Sequence, residues 1–113
     1  MKNKENFLEK IPCRADFVKW QTDGEGIVTL EIENKGFFNR LAQKLLAKPK
    51  VSYVHLDNMG SFVWLHSDGE KNVMQIGSLV EEHFGEAAHP LYQRLSKYFA
   101  VLESYGFVTY VSF

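Results

Sequence analysis

An apolar run that breaks and restarts without a linker constrains the fold of this chain more than any other feature. Residues 62–65 read Phe-Val-Trp-Leu, and Ser67-Asp68-Gly69 follows almost at once. Glycine accepts the left-handed backbone that a helix end favours. Asn72 and Gln75 then have the spacing of a capping box, which begins a new helix. The run therefore predicts the first helix of a tight cluster, and the break predicts a corner inside one domain.

Capping residues and helix-ending residues in this part of the chain predict two further helices. Asp57 is a good N-cap for the first helix, and the second helix is predicted from about residue 73 to 84, where Gly85 ends it. Pro90 falls in the first turn of a third helix, where proline is favoured, and Gly106 marks its end. The apolar positions of this third helix recur at helical spacing: Leu91, Leu95, Tyr98, Phe99 and Leu102.

Alternating apolar and polar residues predict strands on either side of these helices. Four strands are expected, at residues 15–20, 26–33, 51–56 and 107–111. The turn at residues 22–26 makes the first two a hairpin. Helical apolar spacing over residues 37–47, ended by Pro49, predicts an inserted helix before the third strand. The order predicts an α+β, winged helix-like fold: an N-terminal three-stranded antiparallel sheet with an inserted helix, a three-helix cluster and a short C-terminal strand.

Length and composition are those of one ordinary domain. The chain has 113 residues, 45% of them hydrophobic, and a formal net charge of −1. We expect a single domain over residues 1–113, with residues 1–12 flexible. No apolar run approaches the about 20 residues of a membrane helix, and the N-terminus lacks the apolar segment of a secretory signal. A cytoplasmic protein without a membrane partner is therefore expected.

Three segments, in this order, resemble the PqqD family, whose members are also called RiPP recognition elements. Residues 55–64 resemble the family's run of leucine, polar residue, any residue, glycine, small residue, any residue and tryptophan. The corner at residues 67–69 with the helix start at 72–76 is placed as in the family. Residues 102–108 are similar to its ending of leucine, three-residue spacer, glycine and two apolar residues.

The resemblance covers about residues 15 to 111 and implies a function. Members of the family hold a precursor peptide for a separate modifying enzyme, often a radical S-adenosylmethionine enzyme, and use no cofactor themselves. The helix at 37–47 departs from the family, because it is longer than the hairpin connection of compact members. The client peptide and its pathway are not implied.

The resemblance also implies where a peptide binds. A sheet-edge strand at residues 51–56 can accept another strand, and side-chain pockets then add selectivity. In the family the peptide lies along this third strand and packs on the third helix. The candidate peptide-binding residues are therefore Val51, Ser52, Tyr53, Val54, His55, Arg94, Lys97, Tyr98 and Val101. Such a surface suits an acidic peptide with aliphatic anchors; a plain solvated helix flank is the alternative for Arg94 and Lys97.

The inserted helix carries a basic face. Arg40, Lys44 and Lys48 are spaced four apart, so that they share one side of a helix. A solvated face is one interpretation. The other is a docking patch for an acidic enzyme surface, a peptide or a nucleic acid.

No catalytic or metal site is predicted. The four histidines, His55, His66, His83 and His89, lack HxxxH or HExxH spacing and have no cysteine partners. Cys13 is the only cysteine and has no recognisable base beside it. The chain is therefore not expected to be an enzyme.

Two alternatives to peptide binding stay open. A winged-helix regulator would bind DNA, but it needs outward basic residues for phosphate contacts, and a net charge of −1 is unfavourable. Nucleic acid is therefore not an expected partner. The second alternative is a protein interaction module, which includes a homodimer formed through the same edge strand.

Overall fold

The computed structural model describes residues 7–33 and 51–112 of the chain. Within these ranges the backbone forms three α-helices and five strands, and a 3-10 turn over Gly85–Ala88 joins the second and third helices. The strands are β1 (Pro12–Arg14), β2 (Lys19–Thr22), β3 (Val28–Glu33), β4 (Val51–His55) and β5 (Val108–Tyr110). The helices are α1 (Asn58–His66), α2 (Val73–Phe84) and α3 (Leu91–Ser104). The helix predicted at 37–47, with Arg40, Lys44 and Lys48, lies outside the described residues.

The strands form two antiparallel sheets, of which the sequence predicted only the three-stranded one. One sheet has the order β2-β3-β4, and the other pairs β1 with β5. In the second sheet Pro12 lies opposite Tyr110, and Arg14 lies opposite Val108. The predicted three-stranded sheet is present as β2-β3-β4, but the predicted layout lacked the second sheet, because β1 is too short to show an alternating pattern. The α+β class with three helices is confirmed.

The first predicted strand also begins later than expected. Residues 15–18 form a turn, in which the Val18 N–H donates to the Ala15 carbonyl at 3.3 Å. Strand β2 starts at Lys19, where pairing with Glu31 of β3 begins. Phe17 lies at the exposed tip of this turn, so the weak alternation over 15–20 came from a turn and a strand together.

The helix caps follow the sequence closely. The Asp57 carboxylate accepts the Gly60 N–H at 2.7 Å and caps α1. At α2, Asn72 and Gln75 each accept the other's backbone N–H at 2.8 Å, which completes the expected capping box. Two more N–H groups in the first turn of α2 donate to the carbonyls of Lys10 and Leu8, so the chain preceding β1 is held against this helix end.

The core lies between the β2-β3-β4 sheet and the three helices. Trp64, Ile76, Leu95 and Phe99 are fully buried, and Leu30 is nearly so. Phe7 adds an edge-to-face contact with Phe99 at 6.5 Å between ring centroids. In the described part of the chain, none of the helices has the length and apolar character needed to cross a membrane.

Candidate functional site

A groove with a volume of about 730 Å³ lies between the β3-β4 part of the sheet and α3. The sheet contributes Leu30, Ile32, Ser52 and Val54. The junction before and within α1 contributes Leu56, Asp57, Met59, Gly60 and Val63. Helix α3 and the residues after it contribute Arg94, Lys97, Tyr98, Val101, Leu102, Tyr105 and Phe107. Most of these side chains are apolar, so the groove can take up apolar parts of a ligand.

The side chains of β4 divide between the two faces of the sheet. Ser52 and Val54 line the groove, as expected for positions two residues apart in a strand. Tyr53 instead borders a small depression on the opposite face, and His55 Nδ1 lies 2.7 Å from Thr29 Oγ1 there. By the same alternation, Val51 belongs to the opposite face.

The structure therefore brings together six of the nine side chains that the sequence analysis selected. These are Ser52, Val54, Arg94, Lys97, Tyr98 and Val101. Val51, Tyr53 and His55 face away from the groove, so only their backbone is placed beside a ligand bound along the strand. The binding role of all nine stays a prediction.

The hydrogen-bond phase of β4 decides which backbone groups face outward. The Leu56 N–H donates to the Val28 carbonyl at 2.9 Å. Because bonded pairs alternate along an antiparallel ladder, Leu30 with Val54 is the next bonded pair in the register. The backbone N–H and C=O of Tyr53 and His55 consequently point away from β3. Among the described strands β4 pairs with β3 alone, which places it at an edge of that sheet.

Tyr98 forms part of the groove floor and links α3 to α1. Its hydroxyl donates to the Gly60 carbonyl at 2.7 Å. Burial, with a further contribution from the Asp57 charge, raises the pKa of Tyr98 well above its ordinary value. The phenol is therefore neutral at physiological pH and is held in place as a hydrogen-bond donor.

Gly60 allows this close approach of the two helices. A Cβ at this position would lie 2.9 Å from Asp57 Oδ1 and 3.3 Å from Tyr98 Cε1. A larger residue would therefore displace the carboxylate that caps α1 or the ring that lines the groove. This packing gives a physical reason for the glycine in the segment 55–64.

The charged side chains of the groove lie mainly on the first half of α3. Arg94 Nη1 donates to the Ala87 carbonyl at 2.9 Å, which fixes the guanidinium beside the 3-10 turn. Lys97 is exposed. Asp57 is the only acidic residue among the described lining residues, and its carboxylate is used as a helix cap. The groove thus carries two cations near one end and apolar side chains, such as Val101, further along α3.

The four histidines make local contacts, and two of them share Phe62 as a partner. His89 Nε2 lies 2.8 Å from Glu81 Oε1, whereas the rings of His66 and His83 pack on Phe62 with centroids 4.6 and 4.8 Å away. Burial, followed by the positive charge of Lys71, lowers the pKa of His66. No group of three or more His, Cys, Asp and Glu side chains is arranged to hold a metal ion within residues 7–33 and 51–112.

Sequence reasoning missed the groove residues that come from β3, from the junction with α1 and from the end of α3. Leu30 and Ile32 share the inward face that alternation gives to β3, but nothing local says that α3 lies opposite them. Tyr105 could have been found, because it follows Arg94, Tyr98 and Val101 at helical spacing. Phe107 is brought to the groove only by the path of the chain after α3.

The fold and the groove define a small α+β domain with an apolar cleft between a sheet-edge strand and a long helix. The model of the family described as "Coenzyme PQQ synthesis protein D (PqqD)" matches residues 28–108. The match covers most of the sequence, and the chain belongs to the PqqD family, as the three sequence segments predicted. This is a RiPP recognition element family of non-catalytic, peptide-binding partners of modifying enzymes in PQQ biosynthesis. No curated protein and no solved structure matches the chain significantly.

Proposed function

We propose that this chain is a non-catalytic chaperone or adaptor that presents a ribosomal precursor peptide to a modifying enzyme. The peptide adds as a strand along the outer edge of β4 and places side chains in the groove against α3. One observation carries the proposal in a member of the PqqD family: the outward backbone groups of Tyr53 and His55 stand beside a mostly apolar groove.

Strand addition explains how one site can combine affinity with selectivity. A guest strand lies about 4.8 Å from its neighbour in a sheet, which brings it between β4 and α3. Its backbone pairs with Tyr53 and His55, and every second side chain turns toward the groove. Val54 and Val101 are 40% and 53% exposed, so both still have apolar surface for a guest to cover.

The charges of the groove favour an acidic peptide with aliphatic anchors. Arg94 and Lys97 supply positive charge on the first half of α3, and Val101 supplies apolar surface further along. A carboxylate on the guest would be attracted to these two cations. Among the described lining residues the one other charged side chain is Asp57, which caps α1. The partner enzyme is proposed to be of the radical S-adenosylmethionine type, and the cytoplasm, where ribosomal precursors are made, is the proposed location.

An NMR titration tests the proposal. A synthetic copy of a precursor peptide encoded beside this gene is added to ¹⁵N-labelled protein. We expect shifts in residues 51–56 and in the groove-facing residues of α3, with little change over α2. The variant Val54→Asp should need about thirtyfold more peptide for the same shifts, whereas Met74→Ala, on the exposed side of α2, should not. An absence of shifts at millimolar peptide would refute peptide binding at this groove.

The charge of the helical surface argues against the DNA-binding alternative. Glu81, Glu82 and Glu86 are all exposed at the end of α2 and in the turn after it, where they would repel phosphates. A gel shift on random duplex at low salt checks this point. We expect no retardation; clear, salt-sensitive binding would favour the winged-helix regulator instead.

A further inference from the structure

Three aromatic rings form a row at the C-terminal end of α3. Phe107 is the central ring: Tyr105 stacks on it at 5.4 Å between centroids, and Phe17 meets it edge to face at 6.3 Å. Phe107 is only 9% exposed, whereas Phe17 and Tyr105 are 68% and 66% exposed. The row therefore has a buried centre and two outward rings, and we call it the ring row.

The backbone on both sides of the ring row is held by hydrogen bonds. After α3 the Phe107 N–H donates to the Leu102 carbonyl and the Gly106 N–H to the Glu103 carbonyl, both at 2.9 Å. With Gly106 at φ +78°, these two bonds make a Schellman motif. The turn that carries Phe17 is tied to the same place, because the Ala15 N–H donates to the Phe107 carbonyl at 2.9 Å.

Exposed aromatic rings on a fixed backbone are typical of binding surfaces rather than of ordinary solvated surface. Their preorganisation reduces the entropy that a ligand loses on binding. The occupant of the ring row is expected to be the peptide proposed for the groove, because the two sites are continuous. Tyr105 and Phe107 line the groove, and Phe17, which does not line it, contacts Phe107. The ring row thus starts within the groove and continues beyond it.

We propose that the ring row is a second subsite for an aromatic side chain of the same guest peptide. The guest leaves the groove past the C-terminal end of α3, and its ring packs against Phe17 and Tyr105. An aromatic residue fits best because ring pairs with centroids about 4.5–7 Å apart gain more than their buried area alone. This inference rests on the proposed function, and it adds a specificity that the two cations of α3 do not provide.

A selection from a displayed library of random peptides tests the subsite. Three proteins serve as bait: the wild type, the double variant Phe17→Ala/Tyr105→Ala and the control Met74→Ala. The side chains of Phe17 and Tyr105 are both two-thirds exposed, so their removal should leave the fold intact, which circular dichroism checks. We expect aromatic residues at a fixed distance from acidic ones in peptides selected by the wild type and the control, and no aromatic preference with the double variant.

Calorimetry with one synthetic selected peptide then measures the coupling. Changing its aromatic residue to alanine should weaken binding to the wild type about tenfold and hardly change binding to the double variant. Equal weakening with both proteins, or selected peptides without aromatic residues, would overturn the subsite and leave the proposed function standing. Selected peptides anchored by Lys or Arg would overturn it likewise. A library in which no peptide is enriched would overturn the proposed function and the subsite together.

Discussion

The two faces of β4 carry different surfaces on one short strand. Ser52 and Val54 face the groove, together with Leu30 of the neighbouring strand and the apolar side of α3. Tyr53 and His55 face the other way, toward a polar surface with Thr29 and Glu31. The pleat of a strand separates the two environments by a single residue step.

This difference between the two faces offers a way for a domain without a predicted active site to bind a peptide selectively. In the proposed strand addition, the backbone of β4 offers hydrogen bonds that any peptide can use, so it would give affinity without selectivity. In the proposed binding mode selectivity comes from the face that α3 overlooks, because there mostly apolar side chains of the sheet, α1 and α3 line a groove of about 730 Å³. Substitutions on the two faces should therefore have unequal effects on binding.

A carboxylate on the groove face should have the largest effect. Val54→Asp places a charge where a bound peptide would cover it, and burying an uncompensated charge costs at least about 2 kcal/mol, or about thirtyfold in affinity. The matched variant Gln21→Asp puts a carboxylate on the opposite face of the same sheet and should change affinity less than about twofold. Fluorescence anisotropy with a labelled precursor peptide measures both, and similar losses in the two variants would end the distinction between the faces.

Removal of one hydroxyl from the groove floor should have a smaller effect, and on stability. Tyr98→Phe deletes the hydrogen bond to the Gly60 carbonyl, which should lower the free energy of unfolding by about 1 kcal/mol. Urea unfolding measures this change. Tyr53→Phe, on the exposed face, is the matched control and should leave stability unchanged; equal losses would mean that the hydroxyl of Tyr98 has no special role.

The raised pKa values of Tyr98 and Tyr110 predict that the protein loses stability at alkaline pH. Burial raises the pKa of Tyr98 above the ordinary value of 10.0 and that of Tyr110 to about 12. Below pH 10 both phenols are neutral in the folded and unfolded states, so stability is unaffected. Above it the unfolded chain loses these protons first, and the free energy of unfolding falls as pH rises. Denaturant titrations between pH 9 and about 11.5 should show a smaller fall in Tyr98→Phe than in the wild type.

Neutralising an exposed cation of the groove should have the smallest effect. Lys97→Gln removes one positive charge and should weaken an acidic peptide about threefold at low salt, since exposed ion pairs are worth less than about 1 kcal/mol. The difference should vanish at about 1 M salt, where charges are screened within about 3 Å. Lys19→Gln, on the face away from the groove, is the control. A loss that persists at high salt would show that Lys97 acts through packing instead of charge.

Local chemistry made the helical half of the fold predictable. The Asp57 cap, the Asn72–Gln75 capping box and the glycine after α3 are each decided within a few residues, and the structure has them as predicted. The β1–β5 sheet was not predictable in this way. Its pairing joins Pro12 to Tyr110 across nearly the whole chain, and three residues are too few to show a period.

The candidate site was predictable as a region but not in detail. Alternation separates Tyr53 from Val54, yet the sequence does not say which of the two faces α3, because that choice depends on how the helix packs on the sheet. The ring row was likewise not predictable from the sequence, since Phe17 and Phe107 come from distant parts of the chain. The ring contact needs both the late start of β2 and the Schellman motif.

Amide hydrogen exchange along β4 distinguishes strand addition from any other way of binding a peptide in the groove. Exchange is measured by NMR on the protein alone and with saturating precursor peptide. If the peptide adds as a strand, the N–H groups of Tyr53 and His55 should slow strongly, because they gain partners on the guest, while that of Val54, already directed at β3, should change far less. Uniform slowing along β4, or no slowing at Tyr53 and His55 while the peptide is bound, would contradict strand addition.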